Sequence, residues 1–430
     1  MLWPVYPRLM NILLLGGGGR EHALGWKLAQ SPALSRLTSA PGNPGLAGLG
    51  PVAAIDPTDP GAVVELATRE SIDLVVVGPE APLAAGVADV LIRAEIPVFG
   101  PVAAAARLET SKTFAKDVMD RAGVPTARWS SFTDASTASE ALARITPPFV
   151  IKADGLAAGK GVLVTPSFED AMSWVADCFS GRFAAAGNRV VIEDYLAGEE
   201  ISVFGLCDGN DVIALRPARD YKRLEDDDRG PNTGGMGSFT PVPGFGPEFV
   251  TEVVDQMIKP VLAELAGEGI PYVGFIYAGL ILTDSGPRVL EFNCRLGDPE
   301  TQALLPTMQS DLLELIVACV DGKAGSARVD WSGQAAVNVV LAAKGYPEAP
   351  VGGDAITGLD RSADDSVVFQ AGTAAFTGRP TTAGGRVLSV VGLGADLGEA
   401  RSAAYRRVSS IDFAGKQYRT DIAQSKEGTA

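Results

Sequence analysis

Residues 11–30 read NILLLGGGGREHALGWKLAQ. Five residues that are apolar after the first, closed by Gly16, mark a buried strand rather than a half-exposed one, because nothing in the run alternates. The stretch through Gln30 then has helical character. Farther on, residues 72–77 (IDLVVV) form a second buried strand stopped by Gly78-Pro79, and Ile96–Phe99 a short third one before Gly100-Pro101. Helices are expected near 60–70 and over 82–95, and a turn at residues 41–45. Strands alternating with helices predict a parallel sheet with helices on its faces. This first unit spans residues 10–105.

The next stretch has a different pattern. Residues 105–123 are expected to be helical, with Lys112 and Lys116 one turn apart. Phe149–Lys152 and Gly161–Thr165 are short strands joined by a Gly/Ala-rich loop. Val190–Asp194 is a strand, Ile201–Leu206 and Val212–Leu215 pair around Asp208-Gly209-Asn210, and a long polar loop is expected over 219–246. A helix over 247–267 and a hairpin of Val273–Thr283 with Arg288–Asn293 follow. Antiparallel hairpins mixed with helices indicate an α+β module. From about Asp330 a third, β-rich unit is expected, with strands at 335–342, near 367–371 and 386–391, a helix over 396–408 and a mobile tail in the last ten residues.

Composition narrows the function. The 430 residues are 46% hydrophobic and 20% charged, and carry 36 basic against 52 acidic side chains, a net charge of −16. A surface of that sign repels nucleic acid and anionic membranes. The single histidine, His22, nearly excludes Ser-His-Asp hydrolysis and a His-ligated zinc site. Cys178, Cys207, Cys294 and Cys319 have no C-x-x-C spacing and are expected to be free thiols. No apolar run reaches the roughly 18 residues of a membrane span. The expected address is the cytoplasm, with residues 1–9 an expected start-site extension ahead of Met10.

Three glycine-rich or polar stretches carry chemistry. Gly16 to Glu21 (GGGGRE) sits between strand and helix, where exposed N–H groups attract anions; a tight turn without ligand is the alternative. A dinucleotide fingerprint fails there, since position 21 is Glu and residues 36–40 (RLTSA) lack the acidic ribose partner. Residues 152–161 (KADGLAAGKG) are not a Walker A loop, because three residues separate Gly155 from Gly159 and Gly161 follows Lys160. A Gly-rich hairpin tip with Lys152 at a strand end can cover phosphates, or be a flexible hairpin only. In residues 291–300 (EFNCRLGDPE), Glu291, Asn293 and Arg295 share a face if the strand runs that far. A carboxylate and an amide oxygen suit Mg²⁺, and an arginine can neutralise a phosphoryl group in flight; a solvated edge strand is the alternative. Residues 229–238 (RGPNTGGMGS), after Tyr221-Lys222-Arg223, are either a substrate lid or disordered, and the run Glu225–Asp228 is expected to be a solvated acidic face.

These stretches, with APGNPG and VGPEAPL, occur in an order and spacing that resemble the phosphoribosylamine–glycine ligase family over residues 10–420. The resemblance implies an α/β and α+β multidomain fold: an N-terminal parallel α/β domain (10–105) for phosphoribosylamine, an ATP-grasp core of two α+β subdomains (106–328, lid about 125–192) and a small β-rich C-terminal domain (329–425). It implies ATP-dependent joining of glycine to 5-phosphoribosylamine, with Mg²⁺ or Mn²⁺ as metal, small-molecule partners only, and a monomer. ATP would meet Lys112, Lys152, Gly155, Gly159, Lys160 and Gly161, with Glu193, Tyr195 and Leu196 in the adenine hinge and Glu200 on the ribose. Glu291 and Asn293 would hold the metal, and Arg295 and Lys222 are the catalytic candidates. Gly18, Gly19, Arg20, Asn43, Glu80, Asp220 and Asp298 are the candidates for phosphoribosylamine and glycine. Two departures stand out: Tyr221 occupies a position that is His in the family pattern, and Tyr277–Leu282, facing the Glu291 strand, has no second metal carboxylate. The rivals are an ATP-grasp ligase for another acid and a non-enzymatic nucleotide sensor.

Overall fold

The computed structural model describes residues 9–156, 161–183, 188–361, 363–376 and 378–424. Four parallel strands form the first sheet, in the order Leu34–Pro41, Met10–Gly16, Leu74–Val77, Val98–Phe99. Ile12 to Leu15 are wholly buried, since helices cover both faces, which is why that run does not alternate. The Leu34–Pro41 strand was not expected: LSRLTSAP has no apolar run, and it forms an edge. The helix expected over 82–95 is two, Glu80–Ala84 and Val87–Arg93, because Gly86 has φ +76° and cannot continue an α-helix. Residues 105–123 likewise divide into Ala103–Thr110 and Lys112–Arg121; Ser111 Oγ caps the second by accepting from Phe114 N at 3.2 Å.

Two antiparallel four-stranded sheets follow. One runs in the order Trp129–Phe132, Val190–Glu193, Phe149–Ala153, Val162–Thr165. The helices Ala135–Leu142 and Phe168–Asp177 cover it, with Ala138, Leu142, Ile151, Ala171 and Val175 as core. The other runs Val212–Ala214, Glu199–Asp208, Val273–Thr283, Gly286–Asn293. The hairpins expected from sequence are present in both.

The loop expected over 219–246 contains four short strands. Two of them, Arg219–Asp220 and Gly237–Thr240, enter a five-stranded antiparallel sheet with Ala335–Ala342, Arg386–Gly394 and Ser366–Gln370. Gly237–Thr240 is buried without being apolar, and its hydroxyls are satisfied: Ser238 Oγ donates to Pro299 O and Thr240 Oγ1 to Pro217 O, both at 2.8 Å.

The tail is anchored as far as it is described. Ile422 is fully buried, and Arg419 bonds Asp421 and Asp228. The acidic run is the exposed face expected, with Glu225, Asp227 and Asp228 open to solvent, but it also meets the tail: Asp226 accepts from Thr420 N at 2.8 Å and Asp228 from Arg419 at 2.8 Å. All four cysteines are buried free thiols. Among the described residues no helix is long and apolar enough to cross a membrane.

Candidate active site

A cavity of about 170 Å³ opens between the two antiparallel sheets, roofed by the helix Lys112–Arg121. Lys152, one residue before the end of its strand, points into it. Its Nζ lies 3.0 Å from Glu193 Oε2 and donates to Leu290 O at 3.3 Å, tying one sheet to the other. Glu193 Oε1 is 3.2 Å from Lys116 Nζ, which donates to Thr126 Oγ1 at 2.7 Å. Burial pushes the Lys116 ammonium down to about 8, against the pull of Glu193. Lys112 differs. Its Nζ donates to Gly155 O at 3.1 Å and forms no ion pair among the described residues. Burial lowers its pKa, with Glu291 pulling the other way. A desolvated cation without a carboxylate partner is a ready seat for phosphate oxygens.

Glu291 and Asn293 share a face of the Gly286–Asn293 strand, as their spacing predicts, and Asn293 Nδ2 is 3.4 Å from Glu291 Oε1. Burial raises the Glu291 pKa, but Lys222, Lys152 and Lys112 more than offset this and keep it below the usual value. Gly279 stands opposite Glu291, so the facing strand places no side chain over it. Two oxygen donors are too few for a hard divalent cation alone, and among the described residues no group of three or more His, Cys, Asp or Glu is arranged to hold one. The pair therefore fits a metal that arrives with phosphate oxygens and water as its remaining ligands.

The strand ends at Asn293, so Arg295 is not on that face by strand geometry. It turns back instead. Its guanidinium lies 2.9 Å from Glu109 Oε1, 3.1 Å from Glu80 Oε2 and 3.4 Å from Asn293 Oδ1. Burial opposes its charge, but Glu109 and Glu80 raise its pKa further. Burial also raises the Glu109 pKa, against Arg295.

A second cluster adjoins Glu291. Lys222 is ion-paired with Glu200 and lies 4.0 Å from Asp220 Oδ1. Burial raises the Asp220 pKa, and Lys222 pulls it back. Glu300 is buried beside them and pushed up to about 7, by burial first and by Asp220 next. Ser202 Oγ bridges Glu300 and Tyr277, lying 3.3 Å from Glu300 Oε1 and 2.9 Å from Tyr277 OH.

The glycine turn borders the same region. Gly18 N donates to Glu21 Oε2 at 2.7 Å, so the helix's own Glu21 takes this N–H, which a phosphate would otherwise want. Arg20 is buried: Nε is 2.5 Å from Glu21 Oε1, Nη1 donates to Leu296 O at 3.3 Å, and Nη2 is 3.8 Å from Glu80. Gly19 packs against Gln302. Asn43 has both donors and its acceptor engaged, by Gly17 O at 2.9 Å, Gln370 O at 2.8 Å and Leu46 N at 2.9 Å. Asp298 pairs with Arg386 at 3.0 Å and accepts from Gln302 at 2.8 Å; burial raises its pKa, but Arg386 and Arg20 lower it below the ordinary value.

Of the remaining candidates, Gly155 and Gly161 border the cavity. Tyr195 is exposed and Leu196 half-buried, just past the strand end at Glu193. Gly159 and Lys160 lie outside the described residues. Tyr221 is committed to the tail: its hydroxyl accepts from Ala423 N at 2.9 Å. Sequence reasoning missed Glu109, Glu300 and Arg386. Glu300 closes the GDPE stretch and was within reach of inspection, whereas Glu109 and Arg386 carry no local signal.

The comparisons with known proteins agree along most of the chain. Residues 10–109 match the N domain model of phosphoribosylglycinamide synthetase, residues 110–301 its ATP-grasp (A) domain and residues 336–425 its C domain. A phosphoribosylamine–glycine ligase of Caulobacter vibrioides is 49% identical over 416 residues, 96% of this chain and 97% of its own. One of Streptomyces coelicolor is 48% identical over 97% of this chain and 100% of its own. The crystal structure of phosphoribosylamine–glycine ligase from Thermotoga maritima superposes with a TM-score of 0.84 at 37% identity, covering 96% of this chain and 100% of that one. A biotin carboxylase from Campylobacter jejuni, at 16% identity, covers 97% of this chain and 94% of its own with a TM-score of 0.73 and shares the fold. With three consecutive family models matched and relatives near half identical over nearly its full length, the chain belongs to the phosphoribosylglycinamide synthetase family.

Proposed function

We propose that this chain is a ligase that joins glycine to 5-phosphoribosylamine with ATP, giving glycinamide ribonucleotide, ADP and phosphate in purine biosynthesis. The observation that carries it is the near-full-length identity with phosphoribosylamine–glycine ligases, on a chain whose cavity sets Lys112 and Lys152 against Glu291 and Asn293. ATP lies in that cavity, with the described flanks of the Gly155–Gly161 loop over its phosphates and the stretch after Glu193 along its adenine. Glu200, though paired with Lys222, is the candidate for the ribose. Glu291 and Asn293 hold a divalent metal, Mg²⁺ being the better fit for two hard oxygen donors, with Mn²⁺ as substitute. That metal supplies charge neutralisation at the phosphates.

The γ-phosphoryl group passes to the glycine carboxylate, forming glycyl phosphate. The amine of phosphoribosylamine attacks its carbonyl carbon, phosphate leaves, and the nitrogen gives up one proton. Arg295 stabilises charge on the phosphoryl group and Lys222 acts with it in the catalytic step; Asp220 and Asp298 lie around glycine; Gly18, Gly19, Arg20, Asn43 and Glu80 border the phosphoribosylamine. Such chemistry needs positioning and neutralisation more than covalent help, so one histidine is no obstacle. The division of labour follows the expected segments: 10–105 for phosphoribosylamine, 106–328 for ATP, 329–425 as the closing domain. The working form is a cytoplasmic monomer.

The test supplies purified protein with ATP, Mg²⁺, glycine and freshly generated phosphoribosylamine. Glycinamide ribonucleotide should accumulate in step with ADP. ADP release that ignores glycine, or that appears only with another acid, overturns the reading in favour of a different ATP-grasp ligase.

A further inference from the structure

The end of the chain reaches back to the segment that carries Lys222. Arg419 is only 1% exposed, and its whole fork is engaged. Nε and Nη2 donate to the two oxygens of Asp421 at 2.7 and 2.5 Å; Nη1 donates to Asp228 Oδ1 at 2.8 Å and to the backbone carbonyl of Arg223 at 3.2 Å. The guanidinium stands 4.7 Å from the centroid of the Tyr221 ring, and the Tyr221 hydroxyl accepts from Ala423 N at 2.9 Å. Tyr221 and Arg223 are the two chain neighbours of Lys222. The Lys222 carbonyl itself accepts from Thr233 N at 2.8 Å and Thr233 Oγ1 at 2.9 Å. Residues 419–423 thus hold the side chain of Tyr221 on one side of Lys222 and the backbone carbonyl of Arg223 on the other, and none of them lines the ATP cavity.

Resting on the reading that Lys222 serves the ligation site, we infer that Arg419 is a positioning residue for it. A lysine on a flexible four-carbon stem is aimed only as well as its Cα is fixed. The strands adjoining Lys222, Arg219–Asp220 and Arg223–Glu225, are only two and three residues long, and Tyr221 adds backbone bonds to Gly237 O at 3.0 Å and from Met236 N at 2.7 Å. The planar guanidinium fork adds a side-chain anchor to these. It grips the carbonyl of one neighbour, stacks on the ring of the other, and is itself locked by two carboxylates. An error of about 1 Å in placing a binding group costs on the order of a hundredfold in rate, so a remote clamp of this kind belongs to the site's function as well as to its stability.

The experiment compares Arg419→Lys, which keeps the charge and loses the fork, with Tyr221→Phe, which keeps the ring and loses the Ala423 bond. In steady-state assays with all three substrates, Arg419→Lys should lower kcat/KM for glycine about tenfold while the KM for ATP stays within about twofold. Tyr221→Phe should shift the same parameter in the same direction, by roughly threefold. A folded Arg419→Lys protein with unchanged glycine parameters overturns the inference, and so does an equal rise in KM for every substrate. If Arg419→Lys does not fold, the same two criteria apply to Tyr221→Phe. In a Lys222→Met background, Arg419→Lys should have no further effect on residual glycine-dependent turnover; full additivity means that Arg419 does not act through Lys222. Lys222→Met alone separates the two levels, because unchanged turnover in that single variant removes the role of Lys222 itself.

Discussion

Glu109 holds Arg295 at 2.9 Å with one oxygen and the backbone N–H of Cys294 at 2.8 Å with the other. One carboxylate therefore fixes both the arginine and the chain just past Asn293, although it contributes no motif. Removing its charge leaves a buried guanidinium with Glu80 as its nearest remaining anion. Glu109→Gln should lower kcat by about ten- to a hundredfold, with a stability loss of about 1–3 kcal/mol and little change in ATP binding. Titrating the variant with nucleotide and measuring single-turnover rates checks this; an unaltered rate would remove Glu109 from the machinery.

Glu291 is kept ionised by three lysines and faces a glycine across the hairpin. Glu291→Gln keeps the shape and loses the charge. The Mg²⁺ concentration for half-maximal turnover should rise about tenfold or more, while the melting temperature without nucleotide barely moves. A Mg²⁺ titration that overlays wild type would contradict the metal assignment.

His22 ties the first helix to the last sheet: Gln370 N donates to its Nδ1 at 2.8 Å, and its ring packs edge-on against Phe369. Burial lowers its pKa from 6.5 to about 4. Between those values the unfolded chain binds a proton that the folded chain refuses, so stability must fall as pH drops from 6.5 towards 4. The full effect is at most about 3 kcal/mol for this one group. Urea unfolding at pH 7 and pH 4.5 should show His22→Gln losing less stability on acidification than wild type. Equal losses in both would mean the imidazole titrates normally.

The glycine turn is tight where it meets the neighbouring loop. A Cβ on Gly17 would stand 2.5 Å from Gly42 O, a backbone atom that cannot swing aside. Gly17→Ala should cost about 1–3 kcal/mol by overpacking and weaken phosphoribosylamine use more than ATP use. Thermal melts and substrate titrations of that variant decide it; a neutral result would show the loop yields freely.

How far the sequence could be read depended on how local the cause was. The strand Met10–Gly16 and its helix, the hairpin ending at Asn293 and the pairing of Glu291 with Asn293 follow from runs and spacings within a few residues of one another. Gly237–Thr240 did not announce itself, since a four-residue strand of Gly, Ser, Phe and Thr is made a strand by its partner Ala336–Val339. The exposure of Glu225–Asp228 was legible, but its pairing was not, for the same reason: the partner of Asp228, Arg419, is some two hundred residues away. The Arg386–Asp298 and Glu109–Arg295 pairs are likewise tertiary facts, invisible to periodicity.

Gly237–Thr240 shares a sheet with Ala335–Ala342, and that shared edge has a consequence for biosynthesis. A ribosome that has just delivered residue 330 carries a nascent chain whose buried Gly237–Thr240 strand has Arg219–Asp220 on one side but still lacks Ala335–Ala342 on the other, and whose Lys222 segment awaits Arg419. Assembly of the ligation centre is therefore deferred until translation is nearly over. A chain that stops short of Ala335 should be inactive and leave the Gly237–Thr240 edge naked, prone to self-association, rather than give a crippled enzyme.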